Sequence, residues 1–169
     1  MKILIAYATK SGTTRTAATM LRELLPQHEV TLCDLAALTP NPADFDHVVL
    51  GAPIRFGRAH KALRSFIKAH EEGLAGVPHS LFLCCAFPDA FDDYVVRTFP
   101  AALFDTALDV VYFGGEMKVE KQRGLDKLFA RAVRSSVRES EDADAMLPGI
   151  LPEHIRLLAD KLSHRNTGA

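Results

Sequence analysis

The chain has 169 residues, 48% hydrophobic and 24% charged, which are the proportions of one soluble globular domain with a full core. A formal net charge of −1 gives no global case for nucleic-acid binding, and no apolar run approaches the roughly 20 residues that cross a bilayer. The cysteines Cys33, Cys84 and Cys85 are too sparse for a disulfide framework, and an apolar strand follows directly on Met1-Lys2, so a cytoplasmic chain without a signal peptide is expected.

Residues 2–8 are a short, apolar, β-compatible run that reads as a buried parallel strand. Behind it comes Thr9-Lys10-Ser11-Gly12-Thr13-Thr14, with four hydroxyls in six positions around one glycine. Gly12 permits a tight turn and close approach of backbone to a ligand. Residues 14–25 then place Ala17, Ala18, Leu21, Leu24 and Leu25 on one helical face, and Pro26 ends the helix. A strand, a hydroxyl cradle and a helix N-terminus together suit a phosphate group. The spacing is neither Gly-x4-Gly-Lys nor Gly-x-Gly-x-x-Gly, and an ordinary Ser/Thr-capped helix would use the same residue types.

Glu29 to Asp34 reads as a second strand, followed by a loop with Pro40 and Pro42, and His47 to Ala52 as a third. The next loop is Gly51-Ala52-Pro53-Ile54-Arg55-Phe56-Gly57-Arg58. Phe56 is either a core residue or a flat apolar face for a ring system. Ala59 to about His70 is a predicted helix with Leu63, Phe66 and Ile67 inward. Ser80 to Ala86 is a fourth strand, in which the adjacent Cys84 and Cys85 point to opposite faces and read as buried small hydrophobes rather than a redox pair. Phe87 and Phe91 in the loop behind it serve as a hydrophobic plug or as ring contacts. Tyr94 to Phe104 is a weaker helix interrupted by Pro100, Asp109 to Gly114 a fifth strand, and Pro152 to Ser163 the last helix.

Strands alternating with helices imply an α/β fold with three layers and a five-stranded parallel sheet in the order 2-1-3-4-5. One domain over residues 1–169 is expected, with residues 115–148 inserted after the fifth strand. In such sheets ligands sit beyond the carboxyl ends of the strands, so the loops after strands one, three and four should converge. Between Gly115 and Arg138 there are seven basic and three acidic residues. Lys127, Arg131, Arg134 and Arg138 form a stripe beside an apolar face, which suits an anionic membrane surface, an acidic ligand or simple packing on the sheet. The seven histidines are scattered, without metal-ligand spacing.

The loop Thr9 to Thr14 resembles the phosphate loop of flavodoxins, which holds the monophosphate of FMN. Gly51-Ala52-Pro53-Ile54-Arg55-Phe56-Gly57 followed by His60 is similar to the second loop of the bacterial menaquinone-dependent protoporphyrinogen dehydrogenases. Tyr112-Phe113-Gly114-Gly115 resembles the start of that family's insertion, and Leu125-Asp126-Lys127-Leu128 an element within it. The chain departs from the family at Pro53, where the enzymes usually have Ser, and in a third loop that does not align.

The resemblance implies noncovalent FMN. Its phosphate would lie on Thr9, Lys10, Ser11, Gly12, Thr13 and Thr14. Its ring would be bracketed by Ala52, Pro53, Ile54, Arg55, Phe56 and Gly57 on one side and by Cys85, Ala86 and Phe87 on the other. Arg55 would stabilise charge on the reduced ring, and His60 would relay protons. Electrons would pass from a small molecule or redox protein to the flavin and then to a quinone or another acceptor. Residues 118–138 would supply peripheral contact with the inner face of the cell membrane. The rival reading is a flavodoxin-type electron-transfer protein; such carriers tend to be acidic, and the near-neutral charge with Arg55 and Arg58 counts against it. A flavin-free interaction domain is a third reading, opposed by the complete hydroxyl loop.

Overall fold

The computed structural model describes residues 1–115 and 149–165. The strands are β1 (Lys2–Tyr7), β2 (Glu29–Asp34), β3 (His47–Arg55), β4 (Arg58–Ala59), β5 (His79–Cys84) and β6 (Asp109–Tyr112). The helices are α1 (Thr13–Glu23), α2 (Lys61–Ala69), α3 (Glu71–Ala75), α4 (Phe91–Thr98), α5 (Ala101–Thr106) and α6 (Pro152–His164). The sheet runs β2-β1-β3-β5-β6, parallel throughout. Setting β4 aside, this is the 2-1-3-4-5 order expected from the sequence.

Alternation along the strands produces the layers, because successive side chains leave a strand on opposite faces. Leu4, Ala6, Val48, Leu50, Leu81 and Leu83 face one way, under Leu63 and Phe66 of α2, Leu74 of α3, Val95 of α4 and Leu103 of α5. Ile3, Ile5, Val49, Phe82 and Val111 face the other way, under Ala17, Ala18 and Leu21 of α1 and Ile155, Leu158 and Leu162 of α6. Both faces are covered, which explains why the central strands β1, β3 and β5 are nearly continuous apolar runs, whereas the edge strand β2 alternates.

Gly51 of β3 lies in register with Phe82 of β5. A Cβ on Gly51 would lie 1.9 Å from the Phe82 ring. That ring fills the space a side chain would occupy and stacks on Phe113 with centroids 4.4 Å apart.

Besides shifts of one or two residues at other element ends and the short helix α3, which the sequence reading lacks, three differences bear on the loops. Arg58 and Ala59 pair back on β3, so the helix predicted from Ala59 begins at Lys61. The helix predicted over Tyr94 to Phe104 is two helices, α4 and α5, parted at Phe99-Pro100. Proline disfavours the helical conformation of the residue before it, and Phe99 is extended, with φ −106° and ψ 134°. Finally, β3 continues three residues beyond the predicted Ala52, through Pro53 and Ile54 to Arg55.

The strand starts share a buried polar network. His47 Nε2 lies 3.0 Å from Ser80 Oγ, and Ser80 Oγ donates to Asp109 Oδ2 at 3.2 Å. Lys161 and Arg165, at the end of the chain, pair with the same carboxylate at 2.9 and 2.8 Å. This ties α6 to the amino edge of the sheet. Among the described residues no helix is long and apolar enough to cross a membrane.

Candidate functional site

At the carboxyl end of β1, the Thr9 hydroxyl accepts from the Gly12 N–H at 3.1 Å and closes the loop. Gly12 has φ 93°, a left-handed conformation that glycine adopts freely. The turn delivers the chain into α1, which starts without a side-chain cap. The N–H groups of its first turn therefore have no intrahelical acceptor and carry the positive end of the helix dipole.

Thr13 and Thr14 sit in that first turn, only 3% and 0% exposed. Neither hydroxyl oxygen has a hydrogen-bond partner among the described residues. A buried hydroxyl left unbonded costs about 1–3 kcal/mol. The Thr14 hydroxyl does face the Cys84 thiol. Burial pushes that thiol up to about 12, and Thr14 acts in the opposite direction. The Thr13 hydroxyl, unpartnered among the described residues, at an uncapped helix N-terminus beside a glycine that leaves open space, fits an anion of phosphate size.

The loop after β3 is a two-residue hairpin. Ile54 pairs with Ala59 and Arg55 with Arg58, leaving Phe56 and Gly57 at the tip. Their φ values are 51° and 71°. Positive φ at both central residues is what a type I′ turn requires, and Asn-Gly is its usual occupant. Phe56 is the single non-glycine residue with positive φ among the described residues, and it is 54% exposed. An aromatic ring held out to solvent on a strained backbone packs no core, which decides against the core reading of Phe56. The Arg55 guanidinium lies 5.9 Å from the ring centroid.

His60 follows the hairpin and caps α2, its Nδ1 accepting from the Ala62 N–H at 3.2 Å. Partial burial lowers its pKa; Asp34 opposes this, while Lys10 and Arg55 add to it. Those influences place the phosphate-type loop, the end of β2, the hairpin and the start of α2 around one imidazole. Arg15 of α1 bridges the same region, its Nε donating to Tyr7 Oη at 3.2 Å and its Nη2 to Asp34 at 3.0 Å.

The third loop is fixed from beneath. Tyr112 Oη donates to the Cys85 carbonyl at 2.9 Å, and the Cys85 N–H donates to Gly114 O at 3.0 Å. A Cβ on Gly115 would lie 2.5 Å from Cys85 O, so the backbones are in close contact. Tyr112 and Gly115 are positioning residues that the sequence reading missed, because their partner lies 27 or more positions away. Phe87 is 39% exposed at the loop's outer end, whereas Phe91 turns inward against Tyr112, with centroids 5.5 Å apart. Cys85 is buried, which raises its thiol to about 11, and its Sγ faces Phe87 O at 3.6 Å. Cys33, Cys84 and Cys85 are all buried free thiols.

All three loops thus lie at the carboxyl ends of adjacent parallel strands. Thr9 to Thr14, Ala52 to Gly57 and Cys85 to Phe87 come together there, with Ala52 and Pro53 buried inside β3 and Ile54 half-buried. The basic stripe from Lys118 to Arg138 lies outside the described residues, as does the predicted insertion apart from Gly115. Where the chain leaves at Gly115 and re-enters at Gly149 it is closed: Gly115 N–H donates to Gly149 O at 3.1 Å, and Gly114 bridges Ile150.

Curated relatives named protoporphyrinogen IX dehydrogenase (quinone) are similar to part of the chain. That of Escherichia coli strain K12 is 34% identical over 86 residues, covering 48% of this chain and 47% of the relative. That of Leishmania major is 29% identical over 85 residues, covering 48% of this chain and 37% of the relative. The matches thus span about half the length of these relatives or less. The Fusobacterium nucleatum flavodoxin bound to flavin mononucleotide has the same fold, with a TM-score of 0.54 at 14% identity over 97% of this chain and 98% of that one. The family model described as flavodoxin domain matches residues 4–144, most of the chain. The chain therefore belongs to the flavodoxin domain family.

Proposed function

We propose that the chain binds FMN and acts as an oxidoreductase of the protoporphyrinogen dehydrogenase type, taking two electrons from a tetrapyrrole-like substrate and passing them to a quinone. The observation that supports the cofactor is the buried Thr13 hydroxyl, without a partner among the described residues, at an uncapped helix N-terminus. The substrate class rests on the partial similarity to the curated dehydrogenases.

FMN, when bound, supplies the redox chemistry. Thr9, Lys10, Ser11, Gly12, Thr13 and Thr14 would hold its phosphate through hydroxyls and first-turn N–H groups. Phe56 and Phe87, the two exposed aromatics of the converging loops, would flank its ring, with backbone from Ala52 to Gly57 and from Cys85 to Phe87 along the edges. Arg55 would favour negative charge on the ring. Partial burial lowers the His60 pKa and so favours the neutral ring. With Nδ1 accepting from Ala62, its proton sits on Nε2, the atom from which it would donate. A quinone resides in the bilayer, and residues 118–138 carry the charge that suits an anionic membrane face.

Quenching of FMN fluorescence tests the first step. Thr13→Val removes the hydroxyl at nearly constant shape and should weaken FMN binding about ten- to a hundredfold while leaving the ligand-free fold at least as stable. Equal affinity in wild type and variant would remove Thr13 from the site. The second step is an anaerobic assay with protoporphyrinogen and a menaquinone analogue. Porphyrin formation above a flavin-only control supports the activity; none from FMN-loaded protein overturns it.

A further inference from the structure

Residues 47–70 contain no Asp or Glu, yet they carry Arg55, Arg58, Lys61, Arg64 and Lys68. On α2, Lys61, Arg64 and Lys68 are spaced i, i+3 and i+7, which puts them on one face. The opposite face, Leu63, Phe66 and Ile67, is buried in the core. All three cations are exposed, as is Arg58 at the hairpin, and none of the four makes an ion pair with a described residue. A nine-residue helix is about 13 Å long, so the cations form a narrow ridge that starts beside the exposed Phe56 ring and descends the flank of the sheet.

The ridge has acidic borders. Glu71 and Glu72 open α3 directly below it, and Asp92 and Asp93 are exposed in the first turn of α4, which packs on β4. A flat anionic bilayer laid on this flank would meet carboxylates as well as cations. A protein surface with its own carboxylates can instead follow the strip and avoid both borders.

We infer that the hairpin and outer face of α2 are a docking surface for an acidic protein partner, of the kind whose carboxylates surround an exposed redox centre. Four exposed cations in a single strip, without ion pairs among the described residues, give little affinity by themselves, but they orient the encounter. The partner would be seated at the carboxyl edge of the sheet, beside Phe56. Docking stands without the flavin assignment; only electron exchange through it rests on that reading.

The test uses the full chain, with and without FMN, against three probes: an acidic plant-type [2Fe–2S] ferredoxin, basic cytochrome c, and vesicles containing phosphatidylserine. Binding to ferredoxin and not to cytochrome c is expected, weakening about tenfold or more between roughly 0.05 and 0.3 M salt. The triple variant K61E/R64E/K68E should lose ferredoxin binding at least about tenfold. It should keep its thermal melting and FMN affinity, since these side chains are solvent-facing and outside the proposed flavin loops. Charge neutralisation in K61Q/R64Q/K68Q should give an intermediate loss. Equal binding of ferredoxin and cytochrome c, ferredoxin binding unchanged in the triple variant, or vesicle binding abolished by it would each overturn the proposal. Failure to take up FMN would sink the oxidoreductase reading and leave the docking result intact.

Discussion

At Phe56, backbone preference and side-chain role oppose each other. A non-glycine residue with φ 51° costs about 1–2 kcal/mol, less for Asn. Phe56→Asn gives the hairpin its preferred Asn-Gly tip, so the ligand-free protein should become more stable by about 1 kcal/mol in a urea melt. The same change should weaken FMN binding about tenfold, because a ring–ring contact is worth roughly 0.5–1.5 kcal/mol. Loss of stability would mean that the ring packs on the domain; unchanged affinity would mean that it does not touch the flavin. This strain is invisible to a pattern reader. Phe-Gly is not a recognised hairpin signal, so the sequence suggests a loop and an ambiguous aromatic where the structure has a tight turn.

Among the elements, β3 and β5 are locked by the fit of Gly51 against Phe82. Gly51→Ala would force its methyl into a ring that is itself stacked on Phe113, and the expected cost is about 3 kcal/mol or more. Gly51→Ala with Phe82→Leu should recover part of this, which chemical denaturation of the single and double variants would measure. Independent, additive losses would show that the two sites do not share a cavity. Most strands were legible: β1, β3 and β5 are apolar runs buried on both faces, which need no partner to be recognised, and the edge strand β2 matches its predicted bounds residue for residue through its alternation of polar and apolar residues. The hydroxyl loop was equally legible, since its residues are contiguous. What stayed hidden is long-range. The His47–Ser80–Asp109 chain joins positions 33 and 29 apart, and each residue in isolation is only a polar residue at the start of an apolar strand. The Tyr112–Cys85 contact is hidden for the same reason. Pro100 signalled trouble, but whether the helix kinks or splits depends on how α4 and α5 each find the core.

Across the whole molecule, that polar network sets how stability responds to acid. Burial, reinforced by Arg165 and opposed by Asp109, holds the pKa of His47 near 4 in the folded chain. In the unfolded chain it titrates near 6.5. Between these values the unfolded state takes up the proton and the folded state does not, so stability should fall as pH drops from about 6.5 to about 4. Burial raises Asp109, but pairing with Lys161 and Arg165 outweighs this and leaves its pKa below the ordinary 3.8. Its contribution is therefore full above that value and lost only as pH falls further. Melting temperatures across this range should show the His47 limb flattened in His47→Gln and the lower limb absent in Asp109→Asn. An unchanged slope in His47→Gln would assign the acid sensitivity elsewhere.

The closed neck at Gly114, Gly115 and Gly149 bears on how such a chain can diversify. Because the two strands of chain are already hydrogen-bonded to each other at the rim of the sheet, the intervening residues begin and end at virtually one point. A graft there asks nothing of the strand register or of the packing of α6. The neck also abuts the Cys85 carbonyl, so a change of insert is felt first at the third loop and hardly at the phosphate-type loop. A lineage that exchanged the residues between these two points would inherit the Thr9–Thr14 loop unaltered, because the paired backbones of the neck separate the two.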